Sequence, residues 1–523
     1  MKELPRYFFA PQFCKPSVFS LRLFFLLLLF SRSPSQEIYV HSFSLSGNHA
    51  ISSEEIFNHL ETKAGAIFSQ AVLERDIAAI LTMYGTIGYP FASVFTDSIS
   101  IADSAGNLNL SLRISEGAKF FINEIKITGN TQTKAEVILR EARFQQGDVF
   151  NQTKIEKFRK RLERLQLFSA VAEPQLYITS GVVSDSLLGG LLVEVKEGNS
   201  NQFDGVAGYV PKQTTGSSGG YFTGNIFIGM RNLFGTARKT IIRWQRETEK
   251  TQELELQYSE PWIFSIPLNA GLEFLQRKQD STYIKTILQT KFDYAVTEEF
   301  NIGLGAAIET IIPSADLSRF TVFESETDFI SGELFFDTRD NPLNPSSGVR
   351  YGTAFQQGTK TIKGPALYLS LAPERKFSVR RWNVDAEVFT PAFFRQVLAA
   401  GIHGRHISSS HLELSDLYQF GGTNSVRGYR ENQFSASQLV WMNLEYRFLT
   451  GRASSFFGFF DAGYFVRPSD ALLGITKQEQ IIYGYGIGTN VESTLGILNI
   501  SFALGRGDSF SQGKIHVGLI NSF

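Results

Sequence analysis

From residue 199 to the C-terminus, apolar side chains recur at every second position in short segments rich in Phe, Tyr and Gly, separated by polar turns. Residues 240–244, 252–258, 268–274, 301–308, 382–389 and 483–491 show the pattern. A period of two belongs to a strand whose two faces meet different surroundings. No apolar run in this half approaches the roughly 20 residues of a membrane helix. Lipid offers no hydrogen bonds to a free sheet edge, so alternation of this kind in a membrane requires a closed barrel. The half contains about 325 residues. At roughly 20 residues per strand and connection this predicts about sixteen strands, an even number, around an aqueous lumen.

The N-terminus fixes the compartment. Lys2, Arg6, Lys15 and Arg22 precede the apolar run at 23–30, and Ser33 and Ser35 offer small residues for cleavage. This is the layout of a secretory signal peptide, here residues 1–35, and the run is too short for a membrane anchor. Cys14, the single cysteine, is expected to depart with it, so the mature chain must find its stability in its core, a metal or a closed sheet rather than in disulfides. With 50 basic and 51 acidic residues the net charge of −1 gives no field for gathering nucleic acid.

Between these parts lies an internal repeat. Gly47-Asn48 and Gly129-Asn130, Ile56 and Ile138, Gly65 and Gly147, and Phe68 and Phe150 each stand 82 positions apart. Glu116-Gly117 and Glu197-Gly198 close the copies, with an offset of 81. Each copy opens on an alternating segment (Ile38, Val40, Phe43 and Leu45; Phe121, Ile125 and Ile127) that ends at the Gly-Asn turn. Helical spacing follows in Ile56 and Leu60, then in Val72, Leu73, Ile77, Ile80 and Leu81; the second copy has Ile155, Phe158, Leu162 and Leu165. Strands at 91–100 with 108–114, and at 170–178 with 188–195, complete a β-α-α-β-β order. Such a module leaves a sheet edge open to an added strand, or serves as a plain spacer. The element order, the Gly-Asn turn, the central Gly with Phe three residues on and the closing Glu-Gly resemble POTRA domains. The predicted organisation is POTRA 1 at 37–117, POTRA 2 at 118–198 and a barrel at 199–523.

Within a long polar stretch at 406–437, residues 425–430 read SVRGYR, and residues 459–463 read FFDAG. Both resemble the BamA/TamA-type outer-membrane assembly factor family, in which a VRGF/Y loop folds into the barrel lumen and its arginine pairs with the aspartate of an FxDxG strand. An unpaired arginine in an enclosed lumen is costly. Parity puts Asp461 and Gly463 on the lumen face and Phe460 and Tyr464 on the lipid face. Arg427 and Asp461 are therefore expected to pair, with Gly428 allowing a tight backbone and Gly463 leaving room. Val426, Tyr429 and Arg430 complete the loop motif. Residues 337–350, DTRDNPLNPSSGVR, resemble a family barrel turn built on Asp337, Arg339, Asp340, Pro345 and Gly348. The terminal KIHVGLINSF, with Ile515, Val517, Leu519 and Phe523 on one face, resembles the segment by which assembly machinery recognises barrel clients. It also suits an interfacial aromatic.

His403, His406 and His411 invite a metal reading, but positions three apart on a strand face opposite sides. No nucleophile elbow or serine-histidine-acid spacing stands out. The expectation is a non-enzyme without metal or cofactor, in the bacterial outer membrane with periplasmic modules. The resemblance implies assembly, insertion or translocation of unfolded outer-membrane or secreted clients, in contact with lipid and accessory envelope proteins. A two-partner secretion pore shares two POTRA modules and the loop motif, but its relatives carry a plug helix ahead of the first module, and here the first strand starts at Ile38. A lipid-handling barrel or a passive channel completes the alternatives; a diffusion channel gains nothing from a client-binding arm.

Overall fold

The computed structural model describes residues 37–102, 106–183, 186–210, 221–314, 320–372, 374–451, 453–470, 474–493 and 496–520. The expected signal peptide at 1–35 and Phe523 lie outside the described residues. The chain divides into two compact units, Met1–Asn199 and Ser200–Phe523.

In the first unit, β1 (Val40–Ser46), α1 (Ser53–His59), α2 (Gln70–Thr86), β2 (Ser93–Ile101) and β3 (Leu108–Ser115) form one module. Its sheet runs β1-β3-β2, with β3 parallel to β1 and antiparallel to β2. Ile56, Leu73, Ile80 and Tyr84 of the helices pack on Leu110, Leu112 and Ile114 of β3. The second module comprises β4 (Lys119–Thr128), α3 (Ala135–Ala142), β5 (Asp148–Val149), α4 (Gln152–Arg164), β6 (Phe168–Val171), β7 (Gln175–Val183) and β8 (Ser186–Glu197). Here the single strand expected at 170–178 is two, β6 and β7, both paired to β8. Pro174, which has no N–H to give a ladder, stands in the gap.

The repeat extends to irregularities. The ladder of β1 slips between Val40 and Ser42, and that of β4 between Ile122 and Glu124, again 82 positions on. This bulge explains why the apolar phase changes from Val40 to Phe43. Gly47 and Gly129 have φ of 79° and 87°. A Cβ there would lie 2.2 Å from the Ile114 carbonyl oxygen and 1.8 Å from that of Val195. The closing glutamates return to the same turns: Glu116 accepts the N–H of His49 (2.6 Å) and Ala50 (2.7 Å), and Glu197 those of Gln132 (3.0 Å) and Thr133 (2.6 Å). The two modules are joined by Asn151, whose Oδ1 caps α4 at Lys154 N (3.0 Å) and whose Nδ2 donates to Thr86 O (2.7 Å) at the end of α2.

Burial alone would raise the Glu197 pKa, but hydrogen bonds from the Thr131 hydroxyl and the Thr133 and Gln132 amides outweigh it and hold the carboxyl at about 2, against an ordinary 4.5. Because the folded value is the lower one, this stabilisation is complete above about 4.5 and is lost as the pH falls through about 2. All α-helices among the described residues lie in the modules, so the helical circular-dichroism signal reports them alone. Its thermal midpoint is expected to fall across that pH window, and Glu197→Gln to lower the midpoint at neutral pH while flattening the decline.

The second unit is a sixteen-stranded sheet. It begins with β9 (Asn201–Val210), β10 (Tyr221–Leu233), β11 (Arg238–Arg246), β12 (Gln252–Glu260), β13 (Leu268–Gln279) and β14 (Tyr283–Ala295). It continues through β15 (Phe300–Pro313), β16 (Glu324–Asp337), β17 (Gly348–Gly364), β18 (Lys376–Pro391) and β19 (Gln396–Ser409). A small hairpin, β20 (Tyr418–Phe420) with β21 (Phe434–Ala436), stands apart within the next connection. The sheet resumes with β22 (Gln438–Leu449), β23 (Ser455–Arg467), β24 (Gln478–Ser493), β25 (Gly496–Gly505) and β26 (Lys514–Ile520). Every neighbour pair is antiparallel, and among the described residues the path ends on β9 and β26. Ile302, Leu304, Leu334, Leu444 and Ile487 are exposed, as suits a lipid band. The intervening faces carry ion pairs such as Lys285–Glu309 (3.1 Å) and Arg277–Glu253 (2.9 Å).

Candidate functional site

The connection from β19 to β22 is long and polar, yet its tip is buried. Val426 lies in an apolar cluster with Phe420, Ala436, Leu439, Trp441, Phe465 and Ile482. Arg427 is 6% exposed and Asp461, on β23, is 0%. The two form a bidentate pair, Nε to Oδ2 at 2.7 Å and Nη2 to Oδ1 at 2.7 Å, and the Arg427 amide donates to Oδ2 at 3.0 Å. Phe460 and Tyr464, the outward neighbours of Asp461, are exposed, so the loop packs on the inner face of the sheet.

Two further groups complete the arginine's surroundings. Glu445 on β22 accepts Nη1 at 2.7 Å and also the Nε of Arg447 at 2.7 Å, while the Phe459 ring centroid lies 3.6 Å from Cζ. Asn443, opposite Asp461 in the ladder, donates to Asp461 Oδ1 (2.8 Å) and to the Ser425 carbonyl (2.8 Å). Three N–H groups of the guanidinium are thus matched by two carboxylates and its flat face by an aromatic, which is how such a charge tolerates burial.

Glycines clear the path of the loop. A Cβ at Gly463 would lie 3.1 Å from Val426, and one at Gly484 on β24 would lie 1.8 Å from the Arg427 carbonyl oxygen. Gly428 has φ of 94°, and a Cβ on it would stand 2.6 Å from Gly505 N on β25. Tyr429 donates to the Tyr483 carbonyl (3.1 Å) and accepts the Arg506 amide (3.2 Å), whereas Arg430 is exposed, its amide donating to Gln433 Oε1 (2.9 Å) and its carbonyl accepting the Gln433 amide (3.3 Å).

The stem of the same connection is held elsewhere. Lys360 of β17, 1% exposed, donates to Glu413 (2.6 Å) and to both Asp416 oxygens (3.0 and 2.8 Å). Lys285 of β14 donates to the Ser415 carbonyl (3.1 Å), and the Phe323 amide donates to Glu413 (2.6 Å). The loop is thus a strap anchored on β14 and β17 at one end and on β22 to β26 at the other.

The remaining candidates fall away from this centre. In the 337–348 turn, Arg339 grips Asp337 (3.0 and 2.8 Å), Asp340 accepts the Ser346 and Ser347 amides, and Gly348 has φ of 110°. Pro345 is buried there, and Asn344 donates to Gly451 O (3.3 Å) and Ser454 O (3.2 Å) in the β22–β23 turn, so the unit braces two turns of the rim. His403 binds Asp385 (2.7 Å) and stacks on Trp441, His406 is exposed, and His411 meets the Phe323 and Phe377 rings. Val517 faces outward from β26, and the backbone of Leu519 pairs with Leu498 of β25. Sequence reasoning did not single out Glu445, Asn443, Gly484, Gly505, Lys360, Glu413, Asp416 or the role of His516. For the first two a signal existed, because Asn443, Glu445 and Arg447 form the polar parity of β22.

The architecture defines a lipid-facing β-barrel with an arginine loop docked inside it. Residues 232–523 match the Omp85 superfamily domain, and residues 38–117 and 120–198 each match POTRA, the surface antigen variable number repeat. The chain belongs to the Omp85 superfamily. It is similar to the outer membrane protein assembly factor BamA of Nitratidesulfovibrio vulgaris, 24% identical over 411 residues that cover 73% of this chain and 48% of the relative. BamA of Neisseria meningitidis serogroup B is 23% identical over 403 residues, 72% of this chain and 48% of the relative. The chain therefore spans about half the length of these curated relatives. Among solved structures, BamA from Haemophilus ducreyi lacking POTRA domains 1–3 aligns with a TM-score of 0.54 at 15% identity, over 92% of this chain and 98% of that one. CdiB from Escherichia coli aligns at 0.53 and 14%, over 94% and 92%. These two similarities concern the fold.

Proposed function

We propose that the protein assembles or translocates other polypeptides at the outer membrane, its two modules catching extended client strands and its barrel seam or lumen handling them. The barrel lies in the outer membrane and the modules in the periplasm. The observation that carries the reading is the free edge of β2. Among the described residues β2 pairs only with β3, and it exposes Phe95 (57%), Ile99 (43%) and Ile101 (70%). Natural edge strands are ordinarily blunted by charge or proline. An edge with unpaired backbone groups and apolar side chains suits addition of a client strand, where the ladder supplies affinity and alternate side chains supply selection. The work is non-catalytic in the bond-making sense: each client hydrogen bond is exchanged for another, so no external energy source is required. The relatives named as assembly factors support this reading.

Reconstituted in liposomes, the full protein is expected to speed the folding of an urea-unfolded outer-membrane barrel. Replacing Ile99 and Ile101 with lysine is expected to cut both that gain and client crosslinking to β2 about tenfold, with the barrel intact. Folding at the spontaneous lipid rate would overturn the proposal. The second reading, a two-partner secretion pore, rests on the CdiB-like fold; in the same vesicles it gives vectorial transfer of one dedicated polypeptide and no barrel insertion.

A further inference from the structure

Among the described residues the last strand is the shortest of the sheet. β26 has seven residues, beside β24 and β25 with sixteen and ten, and among the described residues it pairs only with β25. Its outward residues Ile515 and Val517 are 72% and 63% exposed, and its inward His516 is 6% exposed. That histidine does not merely fill space. Its Nε2 lies 3.2 Å from the Gly428 amide, which donates to it, and its Nδ1 lies 3.8 Å from Glu431 Oε1. An acceptor at Nε2 places the proton of the neutral ring on Nδ1, facing the carboxylate. Glu431 is itself fixed by the Thr423 amide and hydroxyl (2.6 Å each), and the Thr423 methyl lies 3.4 Å from where a Gly518 Cβ would stand. Loop and last strand thus meet at two successive inward positions of β26.

We propose that His516 is a positioning residue that makes the pairing of the last strand depend on the docked loop. Arg427 fixes the loop on β22 and β23; the tip then passes beneath Gly484 and Gly505, and His516 ties β26 to it. The strand that ends the sheet is held from inside by a part of the chain anchored three strands away. Undocking the loop releases β26, and pulling β26 outward strains the loop. The consequence for clients rests on the assembly reading above, in which the seam handles incoming strands; the coupling itself does not.

Hydrogen exchange on the full-length protein in lipid bilayers tests it. His516→Leu keeps the bulk and removes the acceptor, leaving the Gly428 amide unsatisfied. Exchange of the β26 amides is expected to rise about tenfold, while β22 and β23 stay unchanged. His516→Gln, whose amide oxygen reaches the same point, is expected to restore exchange to within about twofold of the native protein. Arg427→Ala is expected to raise β26 exchange too, although the side-chain hydrogen bonds of Arg427 go to β22 and β23. Unaltered β26 exchange in His516→Leu, or acceleration confined to β22 and β23 in Arg427→Ala, would overturn the coupling. The client-folding rate of the same variants is a separate readout: accelerated β26 exchange with an unchanged client rate retains the coupling and removes the assembly role.

Discussion

Replacing Arg427 with alanine is expected to expel the loop from the lumen and loosen β26, while the ladder from β9 to β25 persists. The substitution leaves Asp461, with no exposed surface, and Glu445 facing each other across the site without their shared cation. Removing one partner of a buried ion pair typically costs about 3–5 kcal/mol, because a charge is left uncompensated. The strap is the part that can yield, since backbone bonds of the ladder do not involve the arginine. Limited proteolysis should cut at residues 425–430 in the variant and not in the native protein, and the gel-shift temperature of the folded barrel should fall. Arg427→Lys should recover only part of the loss, because an ammonium cannot make the two-pronged contact. The exchange Arg427→Asp with Asp461→Arg offers a sharper comparison. Direct pairing predicts that the double variant is better docked than either single one, yet short of native, because the new carboxylate at 427 sits against Glu445. Adding Glu445→Gln should close part of that gap. A double variant no better than the singles would mean that the two side chains do not act on each other.

The parts legible in the sequence are those where a period or a repeat does the work. The modules could be read because their matching glycines meet the same obstacle, a carbonyl oxygen of the neighbouring strand, in both copies. Parity alone assigned Asp461 to the inner face and Phe460 to the outer one, and the structure has them so. Parity does not give height along the barrel, however. Glu445 and Asn443 were on the correct face of β22, but their meeting with Asp461 depends on the register Asn443↔Asp461, which is set by turns whose geometry has no simple sequence signature. The division of residues 170–178 could have been read from Pro174, which stands between two apolar segments and removes a ladder donor. Lys360 had no signal at all. Its partners lie 53 and 56 positions away in an irregular stretch, where neither a helical nor a strand period relates residue number to direction.

That unread anchor leads to the second large effect. Lys360→Met preserves the length of the side chain and deletes its charge. Glu413 and Asp416, both buried, then share a space with no cation, although Glu413 keeps the Phe323 amide and Asp416 keeps the Glu413 amide at 2.9 Å. Two like charges in so confined a volume are destabilising by a similar amount, about 3–5 kcal/mol, unless one takes up a proton. The stem of the loop should loosen, and the signature should be electrical. A sixteen-stranded barrel is wide enough for an aqueous interior, which a docked strap would obstruct, so in planar bilayers Lys360→Met is expected to raise the steady conductance modestly. Because the strap stays tethered at Arg427, one broken end leaves most of the obstruction in place. Combining Lys360→Met with Arg427→Ala frees both ends, and the conductance of the double variant should exceed the sum of the single increments. Simple additivity would indicate that the anchors hold independent pieces of chain rather than one strap, and a native conductance in Lys360→Met would show that the buried ion pair does not restrain the loop.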